Sequence, residues 1–293
     1  MLTGNMLIDI VLTPWQFLTA PAQRIFWPCL LFALFIAFCF LRFYQQQSIK
    51  AIAAKFFNSA YWFHPSSLID FSLMYLNTII KIVVIVPLLA SHLTGIILVS
   101  KAFQYQLGDS PLVNWPPFAV MVLFSIIFFI VEDASRFYLH RLMHQVPWLW
   151  RFHQLHHSAE VLTPMTLFRV HPVEMMIYQL RQLLVISFVG GVFLWLFQTK
   201  VSGLAILGVD AFGILFNFFG ANLRHSHIPL HFGQFERFFI SPAQHQIHHS
   251  KDLNHRNRNF GTCLAIWDQL SGTWLEGKVS KPLNFGLFRS PKT

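Results

Sequence analysis

His140-Arg141-Leu142-Met143-His144, then eight residues, then His153-Gln154-Leu155-His156-His157 is the stretch that decides how the chain reads. A further cluster, His245-Gln246-Ile247-His248-His249, repeats the second spacing, and twelve of the 15 histidines lie from His140 to His249. Spacings of i, i+4 and i, i+3, i+4 put each set on one face if the segments are helical. A neutral imidazole offers one lone-pair nitrogen to a transition metal, and its other nitrogen can be held by an acceptor behind it. Eight imidazoles in three clusters exceed what one ion takes, so the pattern points to two neighbouring metals. Without a metal such a cluster would repel when protonated and waste buried donors when neutral. A lone histidine, by contrast, is structural by default.

Outward from the clusters, Phe118 to Val131 is apolar and runs without a break into Glu132 and on to His140. One helix would therefore carry His140 and His144 just past the end of a membrane span. Asp133 lies seven residues before His140, on the same face. It serves either as an acceptor behind a ligand imidazole or as a partner of Arg136. Pro147 ends the helix, and Trp148-Leu149-Trp150 reads as an interfacial aromatic patch. Pro172 suits the first turn of a new helix, and His171 before it is either a ligand or part of a helix-end network with Glu174.

The apolar runs Met176–Phe197 and Val201–Phe219, separated by Gln198-Thr199-Lys200, imply an antiparallel helical hairpin. A chain that crosses and returns brings the third cluster to the side of the first two. Beyond Gly220, His225 and His227 are two apart, which suits a loop, and His231 follows. Asn254–Gly261 reads as a solvated basic loop, and Trp267–Trp274, with Asp268, as an amphipathic piece covering the site.

Composition sets the class. Of 293 residues 55% are hydrophobic and 11% charged, against roughly 25% charged in soluble domains. The long apolar runs make this an all-α integral membrane protein of four to five transmembrane helices with a cytoplasmic histidine-rich helical cap. The net charge of +9 arises from basic residues flanking the spans, as contact with anionic membrane lipids and orientation require, and no nucleic-acid-binding pattern accompanies it. Fourteen of the 21 Lys and Arg fall in 132–181 or 221–293, so the positive-inside tendency places the clusters on the cytoplasmic face. Cys29, Cys39 and Cys263 form no CxxC pair and are too few for an iron–sulfur cluster. The N-terminus lacks a secretory signal pattern.

Before residue 118, the stretch 6–20, broken by Pro14, reads as a short interfacial helix and Phe26–Phe43 as a span. His64 falls in a polar stretch and reads as an interfacial side chain. Residues 68–100 read either as one span kinked at Pro87 or as a span and a partial helix. In this stretch Lys81 snorkels or faces the interior, and His92 is structural. Residues 101–117 read as a polar loop. The organisation is then an anchoring region, 1–117, a histidine-bearing domain, 118–275, and a tail, 276–293.

These boxes resemble the fatty acid hydroxylase superfamily, in its sterol desaturase-related branch. The likeness includes Tyr138-Leu139-His140-Arg141, Pro147 to His153, His156-His157-Ser158, Arg169 to Glu174, His225-Ser226, Asn259-Phe260-Gly261 and Ile266-Trp267-Asp268, and covers about 118 to 275. The resemblance implies a non-haem site of two iron ions that activates O2 against an unactivated C–H bond. It implies as ligands His140, His144, His153, His156, His157, His225, His245, His248 and His249, with His171, His227 and His231 as candidates for one more. The residues alone say imidazole-rich and dinuclear, which admits zinc, manganese or iron. Asp133, Glu174 and Asp268 would orient the imidazoles or serve as surface or salt-bridge residues.

The expected activity is hydroxylation of a lipid (sterol-like, fatty acyl or amino-lipid) in a bacterial inner membrane or an endoplasmic reticulum membrane. Desaturation with the same ligands is the alternative. A metal transporter would place histidines within the spans, whereas these gather at span ends. The chain has no dinucleotide fingerprint and no cluster cysteines, so electrons would come from a separate donor protein.

Overall fold

The computed structural model describes residues 8, 12, 15–19, 23–85, 92–110, 115–198, 211–218, 221–278 and 281–287. Proline writes most of the helix starts. Helices α1 (Trp27–Cys39), α2 (Ile49–Phe56), α3 (Ser59–Trp62), α4 (Pro65–Ile80), α5 (His92–Leu107), α6 (Pro117–Gln145), α7 (Pro147–His157), α8 (Pro172–Phe197), α9 (Ala211–Phe218), α10 (Pro242–His248) and α11 (Ile266–Leu270) follow in order. In α1, α4, α6, α7, α8 and α10 a proline occupies the first or second position. There its missing N–H forfeits no bond and its fixed φ suits the helix. Among the described residues no β-strand forms beyond two isolated bridges, Phe239 with Leu264 and Ser250 with Phe285.

Among the described residues four helices are long and apolar enough to cross a bilayer: Trp27–Tyr44, Pro65–Ile85, Pro117–Gln145 and Pro172–Phe197. The architecture is that of a multi-pass membrane protein. The first two end in a π turn each, Phe40–Tyr44 and Lys81–Ile85. At 1.5 Å per residue the 29 residues of α6 reach about 43 Å, against roughly 30 Å of hydrocarbon. The excess amounts to two turns or more, and the last turns of α6 carry His140 and His144.

The junction 86–91, where one kinked span and a span with a partial helix would differ, lies outside the described residues. The first span is described as far as Ile85, and α5, with 16 residues from His92, reaches about 24 Å. It continues through Lys101 to Leu107, so the loop expected at 101–117 begins later. Pro87 lies outside the described residues, as does Pro14. Lys81 is exposed rather than turned inward. Helix α5 lies along α8 where glycines let the backbones meet. A Cβ on Gly191 would fall 2.5 Å from Val99 Cβ, and one on Gly190 2.9 Å from Ile96 Cγ1, the small-residue packing that apolar surroundings favour. The expected hairpin partner of α8 falls largely at 199–210, outside the described residues. Its end, α9, packs on α1 and α6.

Two seams fasten the N-terminal spans to the histidine region. Asp70 of α4, fully buried, receives Arg169 Nε at 2.5 Å and Thr166 Oγ1 at 2.7 Å, while Arg169 also donates to Ser66. Tyr61 Oη donates to the Leu162 carbonyl and Asn77 Nδ2 to those of Phe168 and Val170. On the other side Ala33, Ala37, Phe40, Leu41 and Ile52 close over Leu223, Ile228 and Leu230. The three histidine segments are thus clamped from both flanks.

Candidate metal centre

Each box meets its neighbours through helix geometry. At 100° per residue, side chains four apart point within about 40° of each other, while the next residue after position i+3 swings about 100° away. In α7, His153 and His157 therefore share a direction and His156 diverges. In α10 and its C-cap, His245 and His249 share one and His248 diverges. The boxes consequently split. His140, His144, His153, His157 and His248 form one set, and His156, His225, His245 and His249 a second, with ligand nitrogens in each set all within 4.8 Å of one another. The sets adjoin, since the rings of His157 and His249 stack with centroids 4.4 Å apart.

The nitrogens are arranged for an ion. Nε2 of His225 and His245 stand 2.9 Å apart, those of His245 and His249 3.2 Å, and those of His225 and His249 3.3 Å. Two nitrogens bound to one ion at about 2.1 Å are separated by roughly 3.0 Å at a right angle and 3.4 Å at the tetrahedral angle. In the other set Nε2 of His144, His153, His157 and His248 is buried with no hydrogen-bond partner among the described residues. Unpaired buried acceptors are rare unless something else takes the lone pair. Both features fit a pair of metal ions.

The rear nitrogens explain why Nε2 faces inward. Nδ1 of His140 donates to the Phe260 carbonyl at 2.8 Å, His156 to Arg169 at 3.2 Å and His248 to Arg258 at 2.8 Å, and His153 Nδ1 meets Glu174 Oε1 at 2.8 Å. A proton held on Nδ1 leaves the Nε2 lone pair for a metal. His245 differs, because the Arg224 guanidinium donates to its Nδ1 at 2.9 Å. Burial pushes His153 down to about 3 and His156 to about 4. Burial first, then neighbouring imidazoles and, at His245, Arg224, hold His157, His225, His245, His248 and His249 well below the ordinary histidine value. These rings are neutral at pH 7, the state a metal ligand needs.

The three histidines offered as additional ligands stand apart from both sets. His171 is the N-cap of α8, its Nδ1 accepting from Val173 N at 3.1 Å, and its ring packs on Phe152. Its lone pair is spent on an orphan amide at the helix start. His64 caps α4 the same way through Ser66 N. His227 packs edge-on against Tyr61, with burial lowering it to about 4, and His231 packs on Phe40 and Tyr44.

Of the three carboxylates, only Glu174 touches an imidazole of the two sets. Asp133 accepts from Cys263 N, Leu264 N and Trp267 Nε1 at 2.9, 3.0 and 2.9 Å. It serves neither an imidazole nor Arg136, which pairs with Glu132 at 2.8 Å. Asp268 accepts from Phe260 N and Gly261 N at 2.9 and 2.7 Å, so it holds the peptide whose carbonyl holds His140. Gly261 is required there, because a Cβ would fall 2.9 Å from Asp268 Oδ2 and 2.8 Å from Ile240.

Two expectations change. Trp150 does not face lipid but closes on His144 and His157, with centroids 5.1 and 5.5 Å away. The basic loop 254–261 is not solvated throughout, for Asn259 and Phe260 are fully buried and Phe260 packs on His140, His144 and His248. Sequence reasoning missed these contacts, the carbonyl anchors and Arg224. Only Arg224, adjoining His225, carried a local signal.

Two cavities reach the histidines from different sides and share no residue. One of about 300 Å³ touches His140, His153, His156, His225 and His245. Asn77 of α4, Arg136 of α6, Tyr178 of α8 and Arg24 just before α1 also line it, so it opens from the span side. The other, about 660 Å³, touches His144, His157, His248 and His249 and is otherwise walled by α7 and by residues such as Lys251, Asp252 and Arg256. That approach carries charged side chains and lies away from the spans.

The family model described as "Fatty acid hydroxylase" matches residues 125–273, more than half of the chain. The chain is 30% identical over 163 residues to ornithine lipid hydroxylase OlsE of Rhizobium tropici, covering 55% of this chain and 44% of that one. It is 27% identical over 150 residues to alkylglycerol monooxygenase of Xenopus tropicalis, covering 51% and 30%. It is 28% identical over 168 residues to methylsterol monooxygenase erg25B of Aspergillus fumigatus, covering 57% and 52%. The match thus spans about half or less of each relative's length. No solved structure matches at comparable significance. With the eight box histidines and His225 all inside the matched segment, the chain belongs to the fatty acid hydroxylase family.

Proposed function

We propose that the chain is a membrane-bound lipid hydroxylase whose eight box histidines and His225 hold two iron ions, and that it uses O2 to convert a C–H bond to C–OH. One oxygen atom enters the lipid and the other leaves as water, with two electrons and two protons supplied by a separate donor protein. The observation that carries this reading is the pair of imidazole sets, neutral and inward-facing, at the ends of spans in a chain of this family. Iron supplies the O2-activating redox chemistry. The protein supplies the rest: carbonyls and Glu174 fix the rings, Trp150 and Phe260 wall the site, and the span-side cavity admits substrate from the bilayer.

A third cavity of about 720 Å³, lined by Ile36, Phe129, Phe216, Leu230 and Phe232 with Arg224 at its edge, is sized and apolar enough for a lipid tail. The relatives named as hydroxylase and monooxygenases favour hydroxylation over desaturation. The Lys and Arg bias supports a cytoplasmic orientation of the site, with the second cavity as the approach for the donor.

The test is purification of the full chain, metal analysis, and mass spectrometry of host lipids with and without the gene, beside His245→Ala. About two irons per chain and a lipid gaining one oxygen support the reading. Loss of two hydrogens supports desaturation instead, and protein that takes up no metal ends both.

A further inference from the structure

The span-side cavity contains an unbalanced charge. Three guanidiniums, Arg24, Arg136 and Arg224, line it together with Glu174. Arg136 is paired with Glu132. Arg224 donates to the carbonyls of Gly261 and Thr262 and to His245, and Glu174 is held by His153. Arg24 has none of these partners. Its main-chain carbonyl is fixed by Asn222 Nδ2 at 2.9 Å and its guanidinium lies 5.7 Å over the Phe216 ring. Among the described residues the guanidinium makes no hydrogen bond or ion pair. Burial, then Arg224 and Arg136, lower its pKa to about 9, so it remains a cation at pH 7, and the charges acting on it among the described residues are those two cations. A half-buried cation without a counter-ion is costly to maintain unless a ligand completes it.

We propose that Arg24 binds an anionic oxygen group, a carboxylate or a phosphate, on the substrate lipid and so selects a carbon close to that group for attack. This rests on the span-side cavity being the substrate's, as in the hydroxylase reading. Guanidinium is suited to both anions, which it grips with paired N–H donors. The cavity limits the distance: about 300 Å³ is the volume of a sphere roughly 8 Å across, the reach of about six or seven single bonds. An anion at Arg24 and a carbon at the histidines, which both line this one small cavity, are then only a few bonds apart. The tail leaves past Phe216, whose ring also lines the apolar cavity. The substrate class is therefore an anionic amphiphile oxidised near its polar end, not at the far end of its chain.

The test uses the full chain in neutral detergent with hexadecyl phosphate, palmitate and hexadecanol as probes, retention per protein being counted by native mass spectrometry. Wild type is expected to retain an anionic probe over the alcohol by about tenfold, with the ratio of the two anions telling phosphate from carboxylate. Arg24→Met should bring that preference within twofold and Arg24→Lys should recover part of it. Arg151→Met, an exposed cation on α7, should leave it unchanged. Thermal unfolding of each variant guards against misfolding, and the lysine variant keeps the test open should the methionine variant fail to fold. An unchanged preference in Arg24→Met, or a loss in Arg151→Met of equal size, overturns the proposal. Because probe retention needs no metal, Arg24-dependent binding in a protein that oxidises nothing would sink the hydroxylase reading alone. Oxidised lipid made equally well by Arg24→Met would sink this one alone.

Discussion

Replacing Glu174 tests whether the nine imidazoles act as a metal site or only as packed rings. Its Oε1 lies 2.8 Å from His153 Nδ1, with both side chains about 4% exposed or less, so no water can take over the contact. A carboxylate behind a ligand imidazole fixes the ring and raises its basicity, and losing such a partner typically weakens metal binding about 10- to 100-fold, or roughly 1.4 to 2.7 kcal/mol. Glu174→Gln keeps an acceptor and loses the charge, and belongs near the lower figure. Glu174→Ala also strands the His153 N–H, adding about 1–3 kcal/mol of lost stability in metal-free protein, and belongs near the upper one. Iron affinity of the purified chain, measured by chelator competition, is the assay, with thermal unfolding of the stripped protein beside it. If Glu174→Ala bound iron within twofold of wild type, His153 would not be held for a metal. The reading of the first set as a metal site would then lose the support that Glu174 gives it.

Three further outcomes are expected. His171→Ala should cost about 1 kcal/mol of stability through the lost cap of α8 while leaving chelator competition unchanged, and a tenfold loss of iron affinity would return His171 to the ligands. Asp70→Ala strands the buried Arg169 guanidinium and should destabilise by about 3–5 kcal/mol, read as a lower unfolding temperature; a shift under a degree would show that this seam bears no weight. Acid should destabilise the metal-stripped protein. His153 and His156 titrate near 3 and 4 when folded but near 6.5 unfolded, so between those values the unfolded chain holds more protons and stability drops as pH falls. The loss is about 1.4 kcal/mol per unit for each ring, hence roughly 2 kcal/mol each from pH 7 to pH 5, and an unfolding temperature flat across that interval would contradict the burial of these rings.

Much of this architecture was legible because its signals are local. A proline opens α1, α4, α6, α7, α8 and α10 within two residues, and histidines at i and i+4 must share a face. The helix-end reading of His171 extends to His64. His64-Pro65 and His171-Pro172 are the same pair, a side chain able to accept from an early amide followed by the residue best suited to the first turn. Read that way, both histidines belong to helix ends, as the structure has them. The splitting of the H-x2-H-H boxes was half legible: rotation per residue separates His156 from His153 and His157, but which ring from which box completes each set depends on packing between α6, α7 and α10.

What could not be read was the layer behind the ligands, because most of it is backbone. The carbonyls of Phe260, Arg169 and Arg258 hold three imidazoles, and a carbonyl has no residue identity. Asp133 illustrates the limit. Its seven-residue offset did put it on the face of α6 that carries His140, and that face does meet one segment, 260–267. The two residues grip that segment differently, however, Asp133 taking the amides of Cys263 and Leu264 while His140 gives its Nδ1 proton to Phe260. Asp268 then locks the same peptide from behind through the amides of Phe260 and Gly261. The carboxylates near this centre therefore act mostly by fixing a loop whose carbonyls aim the rings. That accounts for a glycine at 261, the place where the carboxylate and the chain it holds come too close for a side chain.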